Sequence, residues 1–344
     1  MMSFPSFYGN ATTAASLANM IEHDRIPQTL LLAGGEGIGK ATLVRRFASR
    51  LLGGTDRIEN DDLSLPHNVE LLAEREKLPS DKRADDPLQL ASHPDFVTFP
   101  PDGPLRQISI QQMRLLKERS QFGPLKGPYR VFLIDHLDRA NEQAANSLLK
   151  ILEEPPAHLI VVMTAENVYD LLPTIRSRAV MFHMTNLSEE EMAQFAESRG
   201  FHPKEPRVTL AGGAPGVAVT MDLEQWDMRR QRVLALLEVA SGQAKFGAWV
   251  KHSESISASK SEKLEYYLKV IYGFLEDILL LREGIAARRN PDLSPRLGAV
   301  AQAVSFEWIR AATAKTDELV EFARRNVQKG IALDAFAVEL RKVR

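Results

Sequence analysis

Cysteine is absent from the 344 residues, so the chain can form no disulfide, no thiolate metal site and no cysteine nucleophile. Its eight histidines never occur at the spacing of metal ligands, and we therefore expect no metal site and no zinc. No apolar run approaches the roughly 18 residues that a membrane span requires. The N-terminus has neither a basic nor an apolar signal region, which predicts a cytoplasmic protein with no membrane partner.

The chain also lacks a strong excess of either charge. It has 43 basic and 45 acidic side chains, a formal net charge of −2. Residues 1–226 hold 23 of the basic and 30 of the acidic side chains, so the remainder is weakly basic. Neither part is a polybasic tail, and composition alone does not indicate a nucleic-acid binder. A chain of this length is expected to form two or three domains.

The first half alternates apolar runs with helical patterns, which predicts an α/β core built on a parallel, five-stranded sheet between helices. The strands are expected at residues 28–33, 96–99, 131–134, 159–163 and 179–182. Residues 53–92 are rich in charge and predict an insertion over the surface. Only helical patterns follow residue 187, and the stripe of apolar side chains between Leu264 and Ile278 is typical of a bundle helix. The expected domains are a core at 1–184, a helical lid at 185–226 and an all-α domain at 227–344.

A glycine-rich loop between a predicted strand and a predicted helix carries the first chemical motif. Gly34, four further residues, Gly39 and Lys40 have the spacing of a phosphate loop, in which backbone N–H groups face phosphate and the lysine reaches its terminal groups. The motif usually continues with Ser or Thr, whose hydroxyl binds Mg²⁺, whereas this chain has Ala41. Thr42 comes one residue late, and one residue on a helix turns a side chain by about 100°. The candidate nucleotide-binding residues in this segment are Gly34, Gly37, Gly39, Lys40, Ala41 and Thr42.

Two further strand ends complete the candidate nucleotide site. The apolar run 131–134 ends in Asp135, the residue that would order Mg²⁺ in a nucleotide hydrolase, and Thr164 ends the next run. Hydrolytic proteins usually place a Glu after this Asp to position the attacking water, but here His136 follows. The loss of both the hydroxyl and the carboxylate predicts a site that holds nucleotide with little or no hydrolysis.

The longest motif is Asn146-Ser-Leu-Leu-Lys-Ile-Leu-Glu-Glu-Pro-Pro156, followed by Thr164 and then by Leu172-Pro-Thr-Ile-Arg-Ser-Arg178. With these residues the chain resembles the delta-prime subunits of the bacterial DNA polymerase III clamp loader, a branch of the AAA+ ATPases. The resemblance runs from Pro27 to Phe182, and weakly to Asn326-Val327 near the C-terminus. It implies an AAA+ core, a helical lid and a helical collar that joins five subunits.

The resemblance also implies a role for Ser177-Arg178, which match the arginine-finger motif of that family with Ala179 in place of its Cys. A cation supplied in trans stabilises charge on the γ-phosphoryl group of a neighbour's ATP. Gly216 stands about where a motor subunit has its sensor arginine. These departures from the motor pattern predict a non-hydrolysing subunit with a degenerate site for ATP or ADP, without a clear place for Mg²⁺.

The partners implied are the gamma/tau and delta subunits of a heteropentamer, the sliding clamp and primer-template DNA. Arg139 and Asn141, at the start of a predicted helix, are the candidate DNA contacts. One alternative is an ATP-hydrolysing motor of the gamma/tau type that uses Lys40 and Asp135. Another is a P-loop kinase for a small metabolite, which would need several arginines in its lid, where only Arg199 and Arg207 occur.

Overall fold

The computed structural model describes residues 4–203, 205–259, 262–323 and 327–343. The chain divides into two compact units, Met1–Thr220 and Met221–Arg344. Asn326, part of the weak C-terminal resemblance, lies outside the described residues.

A six-stranded mixed sheet forms the centre of the N-terminal unit. Its strands run in the spatial order β2-β3-β4-β5-β1-β6, and all neighbouring pairs are parallel except β2 and β3. The strands are β1 (Thr29–Ala33), β2 (Leu90–His93), β3 (Phe96–Phe99), β4 (Arg130–Ile134), β5 (Leu159–Ala165) and β6 (Val180–His183). The predicted α/β class is therefore confirmed, whereas the prediction of five strands, all parallel, is wrong: a sixth strand pairs antiparallel at one edge.

The sequence did not predict β2 because this strand lies at the sheet edge, where only its first and last residues are buried. Its sequence, Leu-Ala-Ser-His, has no apolar run. The four strands β1, β3, β4 and β5 are buried at every position, as expected for strands that helices cover on both faces.

Helices surround this sheet, and several begin as their sequences predict. Ser109 and Ser188 each form a capping box, with Gln112 and Glu191 respectively, and the Asn141 side chain accepts from the Ala144 amide at 2.8 Å. The helices of this unit are α1 (Ala11–Glu22), α2 (Lys40–Leu52), α3 (Thr55–Glu59), α4 (Pro66–Lys77), α5 (Ser80–Asp85), α6 (Ile110–Ser120), α7 (Glu142–Glu153), α8 (Pro173–Arg176), α9 (Glu189–Ser198), α10 (Pro206–Leu210) and α11 (Pro215–Thr220).

The charged segment at residues 53–92 folds into α3, α4, α5 and β2, and buried contacts attach it to the core. Ile58 is fully buried. The Arg75 guanidinium donates to both carboxylate oxygens of Asp102, at 3.2 and 2.6 Å, and to the Asp86 backbone carbonyl at 2.6 Å. The sequence predicts an insertion over the surface. In the structure, the buried ion pair between Arg75 and Asp102 attaches this segment to the loop after β3.

Removal of the Arg75 side chain should therefore destabilise the N-terminal unit. We expect Arg75→Ala to lower the free energy of unfolding by about 3 kcal/mol, because it leaves the buried Asp102 carboxylate without its counter-ion. Chemical denaturation followed by far-ultraviolet circular dichroism measures the change. Lys77→Ala on the exposed side of α4 serves as the control and should change it by less than about 0.5 kcal/mol. Equal stability of the two variants would contradict the anchoring role.

The C-terminal unit is all helical, as predicted for this part of the chain. Its helices are α12 (Leu223–Ala240), α13 (Gly247–Ala258), α14 (Leu264–Arg282), α15 (Ser294–Ala303), α16 (Phe306–Ala323) and α17 (Lys329–Leu340). Each predicted apolar residue of the α14 stripe is buried in one core cluster: Leu264, Leu268, Ile271, Leu275 and Ile278. Among the described residues, no helix combines the length and apolarity needed to cross a bilayer.

A buried carboxylate fixes the loop that follows α14. Asp277 is fully buried and accepts from the backbone amides of Arg288, Arg289 and Asn290 at 2.8 to 3.0 Å. It also accepts from the Asn290 side-chain amide at 2.8 Å. Four donors therefore depend on this single side chain.

Candidate functional site

The glycine-rich loop connects β1 to α2, as the motif predicts. Gly34, Gly37 and Gly39 have φ values of +151°, +73° and +96°, a region that side chains with a Cβ rarely adopt. Gly39 is the residue immediately before α2. The loop thus has the backbone of a phosphate loop, between the carboxyl end of a buried strand and the start of a helix.

The Lys40 ammonium is turned onto the loop itself. Its Nζ donates to the carbonyl oxygens of Gly34 and Gly35, at 2.6 and 2.7 Å, and the residue is only 6% exposed. Burial lowers the pKa of Lys40, and the nearby Glu166 and Asp135 carboxylates oppose this shift. The ammonium has three N–H donors, so these two bonds leave one of them for a further acceptor.

Backbone from α11 covers the loop at its tip. The Gly216 amide donates to the Gly37 carbonyl oxygen at 2.7 Å. A Cβ at position 37 would lie 2.7 Å from Val217 Cγ2 and 2.8 Å from the Val217 nitrogen, and one at position 34 would lie 2.3 Å from the Met184 carbonyl oxygen. The glycines are therefore needed for packing as well as for their backbone angles.

The first turn of α2 offers no hydroxyl at the usual metal-binding position. Ala41 has none, and the Thr42 hydroxyl accepts from Arg45 Nη2 at 3.4 Å. Arg45 is itself buried and forms an ion pair with Glu59 at 3.2 Å. Thr42 therefore faces the neighbouring α3 segment rather than substituting for the missing hydroxyl.

Asp135 and Thr164 lie side by side because β4 and β5 are neighbours in the sheet. Thr164 Oγ1 donates to Asp135 Oδ1 at 2.6 Å and accepts from the His136 amide at 2.8 Å. Asp135 is 5% exposed and Thr164 is fully buried. The only hydroxyl proton of Thr164 is thus used within the protein.

Two acidic residues near the carboxyl ends of β4 and β5 were not among the candidates from the sequence. Asp138 follows β4 and Glu166 follows β5, and one ligand atom from each lies within 4.8 Å of one from His136. Burial raises the pKa of Asp138, and Glu166 adds to the rise while His136 opposes it. Their signal in the sequence was their position just after two neighbouring strands, where functional side chains of α/β proteins collect.

Arg178 lies apart from the phosphate loop, just beyond α8. Its Nη2 donates to Glu153 Oε1 at 2.9 Å and its Nη1 donates to the Thr174 carbonyl oxygen at 2.9 Å. One third of the Arg178 side chain is exposed. Ser177 Oγ donates to the same Thr174 oxygen at 3.1 Å. The guanidinium is held at the surface, at the edge of an open pocket of about 410 Å³.

The Glu-Glu-Pro-Pro motif explains how Glu153 reaches this arginine. It ends α7, and Gln28 Nε2 donates to the Pro156 carbonyl oxygen at 2.7 Å, just before β1. The motif includes Glu153, but it does not predict that Glu153 pairs with Arg178. Side chains 25 residues apart give no local signal of such a contact.

The two candidate DNA contacts already have partners within the chain. The Asn141 side chain caps α7 through the Ala144 amide, and Arg139 Nη2 lies 3.6 Å from Glu166 Oε1. Arg139 remains 41% exposed. The geometry thus gives Asn141 a structural use, and DNA contact by either residue stays a prediction.

A comparison with protein families matches residues 9–188 to the family described as DNA polymerase III, delta subunit. The matched segment includes the phosphate loop, the strand ends of β4 and β5, and Arg178.

Curated relatives are similar over a little more than half of the chain. The DNA polymerase III subunit gamma of Buchnera aphidicola subsp. Acyrthosiphon pisum (strain APS) is 29% identical over 192 residues, which cover 56% of this chain and 48% of the relative. The subunit tau of Escherichia coli (strain K12) is 26% identical over 190 residues, 55% of this chain and 26% of the relative. The chain thus matches half or less of the length of these relatives.

Among solved structures, a gamma subunit-related protein from Thermotoga maritima aligns over 95% of this chain and 98% of its own, with 18% identity and a TM-score of 0.43. The Bacillus subtilis DNA clamp loader delta protein aligns over 95% of this chain and 99% of its own, with 13% identity and a TM-score of 0.28.

Proposed function

Because the chain belongs to the DNA polymerase III, delta subunit family, we propose that it is a delta-prime-type clamp-loader subunit that hydrolyses no ATP itself. In this role it assists the ATPase of a neighbouring subunit and so helps to load the sliding clamp on primed DNA during replication. The three domains predicted from the sequence, at 1–184, 185–226 and 227–344, would then be the AAA+ core, the lid and the collar. The proposed partners are gamma/tau and delta subunits in a heteropentamer, the clamp and primer-template DNA.

The observation that carries the non-hydrolysing role is the Lys40 ammonium. It is bonded to the Gly34 and Gly35 carbonyls rather than directed toward a position for phosphate. The bond from the Gly216 amide to Gly37 further restricts the loop. ATP or ADP would therefore compete with the loop's own carbonyl oxygens for Lys40, whose ammonium keeps one further donor for phosphate.

The donor set does not fit Mg²⁺ bound in the manner of a motor subunit. Ala41 supplies no hydroxyl, and Asp135 Oδ1 accepts the Thr164 proton. The residue after Asp135 is His136, which brings an imidazole instead of the carboxylate that positions water in a motor subunit, and its Nδ1 lies 3.5 Å from Glu166 Oε1. We derive no hydrolytic step at this site.

Arg178 is the proposed contribution to chemistry. An exposed guanidinium whose position is fixed by Glu153 and the Thr174 carbonyl can enter the ATP site of a neighbour and stabilise charge that develops on the γ-phosphoryl group. Its planar donors suit phosphate oxygens better than a lysine would. Glu153 occupies Nη2 in the free chain, and a phosphate would compete with it for the same donor.

The second candidate function is an ATP-hydrolysing motor of the gamma/tau type. The observation in its favour is that the curated relatives are named gamma and tau, and that this chain retains both Lys40 and Asp135. Under this alternative, rearrangement of the loop would free Lys40 when ATP binds.

ATP turnover by the isolated chain separates these two functions. We expect phosphate release no faster than from ATP alone, with no change on Lys40→Ala, because neither hydroxyl nor carboxylate is in place to support hydrolysis. A coupled phosphate assay at saturating ATP and Mg²⁺ measures it. Turnover above background that Lys40→Ala abolishes would establish the motor function instead, and Arg83→Ala, outside the loop, is the control against a contaminating ATPase.

A further inference from the structure

The cluster formed by His136, Asp138 and Glu166 has no assigned role in the proposed function. It lies at the carboxyl ends of β4 and β5, and one ligand atom from each residue lies within 4.8 Å of the others. His136 has a φ of +55°, uncommon for a residue with a Cβ. This backbone turn directly follows β4.

Three polar atoms in this cluster are buried without a hydrogen-bond partner in the described structure: His136 Nδ1, Asp138 Oδ1 and Glu166 Oε1. A buried polar atom without a partner costs about 1 to 3 kcal/mol. Three together, from side chains only partly exposed, require a common explanation. The 3.5 Å between His136 Nδ1 and Glu166 Oε1 is too long for a good hydrogen bond.

We propose that His136, Asp138 and Glu166 bind one divalent transition-metal ion of the Zn²⁺ or Mn²⁺ class. When ionised, the two carboxylates are acceptors only, and His136 Nδ1 is a third acceptor in the tautomer that carries its proton on Nε2. In that state one water molecule, which has two protons, leaves one acceptor unpaired, whereas a cation binds all three atoms. An imidazole ligand favours transition metals over Mg²⁺ and Ca²⁺, which prefer oxygen.

The surrounding charges are compatible with a dication. Asp135 adds a third carboxylate at this edge, and Lys40 and Arg139 are the facing cations. Arg139 lies 3.6 Å from Glu166 Oε1 but is 41% exposed, so its side chain can turn outward when a metal binds. Three protein ligands leave the remaining coordination positions for water or for an anion on the phosphate-loop side.

The test is direct metal binding to the full-length chain after treatment with a chelator, and it is independent of any ATPase assay. Mn²⁺ is titrated while the electron paramagnetic resonance signal of the free ion is recorded, and Zn²⁺ is then added as a competitor. We expect one Mn²⁺ per chain, displaced by Zn²⁺, with affinity lowered about tenfold or more in Glu166→Gln and in His136→Gln. Mg²⁺ added at the same concentration as Zn²⁺ should displace little of the bound Mn²⁺.

The control variants are Glu154→Gln and His183→Gln, both exposed residues of the same unit, which should bind Mn²⁺ as the unmodified chain does. Circular dichroism of each metal-free variant establishes that it is folded. If the unmodified chain binds no Mn²⁺ or Zn²⁺, or if Glu166→Gln and His136→Gln bind Mn²⁺ as it does, the proposal is overturned.

Discussion

Arg178→Ala should reduce DNA-stimulated ATP turnover at the adjoining site of a reconstituted clamp loader by about a thousandfold, the lower end of what an arginine finger contributes. The complex is assembled from this chain and its matching motor and delta subunits. The reason is that, in the proposed role, no other group would replace a guanidinium that reaches the γ-phosphoryl group only across the subunit boundary. A single-turnover measurement with clamp and primed DNA records ATP hydrolysis at this site before the other ATP sites of the complex complete a cycle.

Arg176→Ala is the matched control because this arginine is two residues away and lies over the Tyr169 ring, with its guanidinium carbon 5.5 Å from the ring centroid. It should leave turnover unchanged. Gel filtration checks that each variant still assembles. Unchanged ATP turnover by an intact complex with Arg178→Ala would show that the chain acts only as a scaffold.

Glu153→Gln helps to explain either result. It keeps the shape of the side chain that meets Arg178 Nη2 but removes the charge. If the finger acts on a neighbour, the weaker internal partner leaves turnover equal or higher. A loss as large as that of Arg178→Ala would show that Glu153 has to hold the arginine in place.

Asp277→Ala should lower the stability of the C-terminal unit by about 3 kcal/mol or more, because four donors, two of them on the buried Asn290, lose their shared acceptor. Tryptophan fluorescence during urea denaturation follows this unit, since Trp249 and Trp308 are buried in its core. Asp227→Ala is the control: its carboxylate is 57% exposed and lies 3.9 Å from Arg230. If both variants unfold at the same urea concentration, the loop after α14 does not depend on Asp277.

Those features of the fold that depend on neighbouring residues in the sequence were predictable. The capping boxes at Ser109 and Ser188 each lie within one helical turn, and the loop after β1 has its glycines where positive φ is needed. Local hydrogen bonds and backbone angles depend on residues close in sequence, so a short sequence motif is enough to predict them. The buried stripe of α14 was equally visible in its spacing.

The missed features involve distant segments. Strand β2 has its two middle residues exposed, and pairing with β3 rather than an apolar run determines its conformation. The cluster of His136, Asp138 and Glu166 is assembled from two neighbouring strand ends, so no spacing of histidines along the chain could reveal it. The bond from Lys40 to the Gly34 carbonyl could not be foreseen because an ammonium has several acceptors within reach.

The bond between the Gly216 amide and the Gly37 carbonyl does not depend on the side chain of either segment. Both groups are backbone, so exchange of a side chain at either end does not directly remove the bond, and a Cβ at either glycine would lie 3.0 Å or less from the other segment. Ala41→Ser would return a hydroxyl to the first turn of α2 while leaving this bond in place. A hydroxyl added at position 41 alone therefore leaves the contact between α11 and the phosphate loop unchanged.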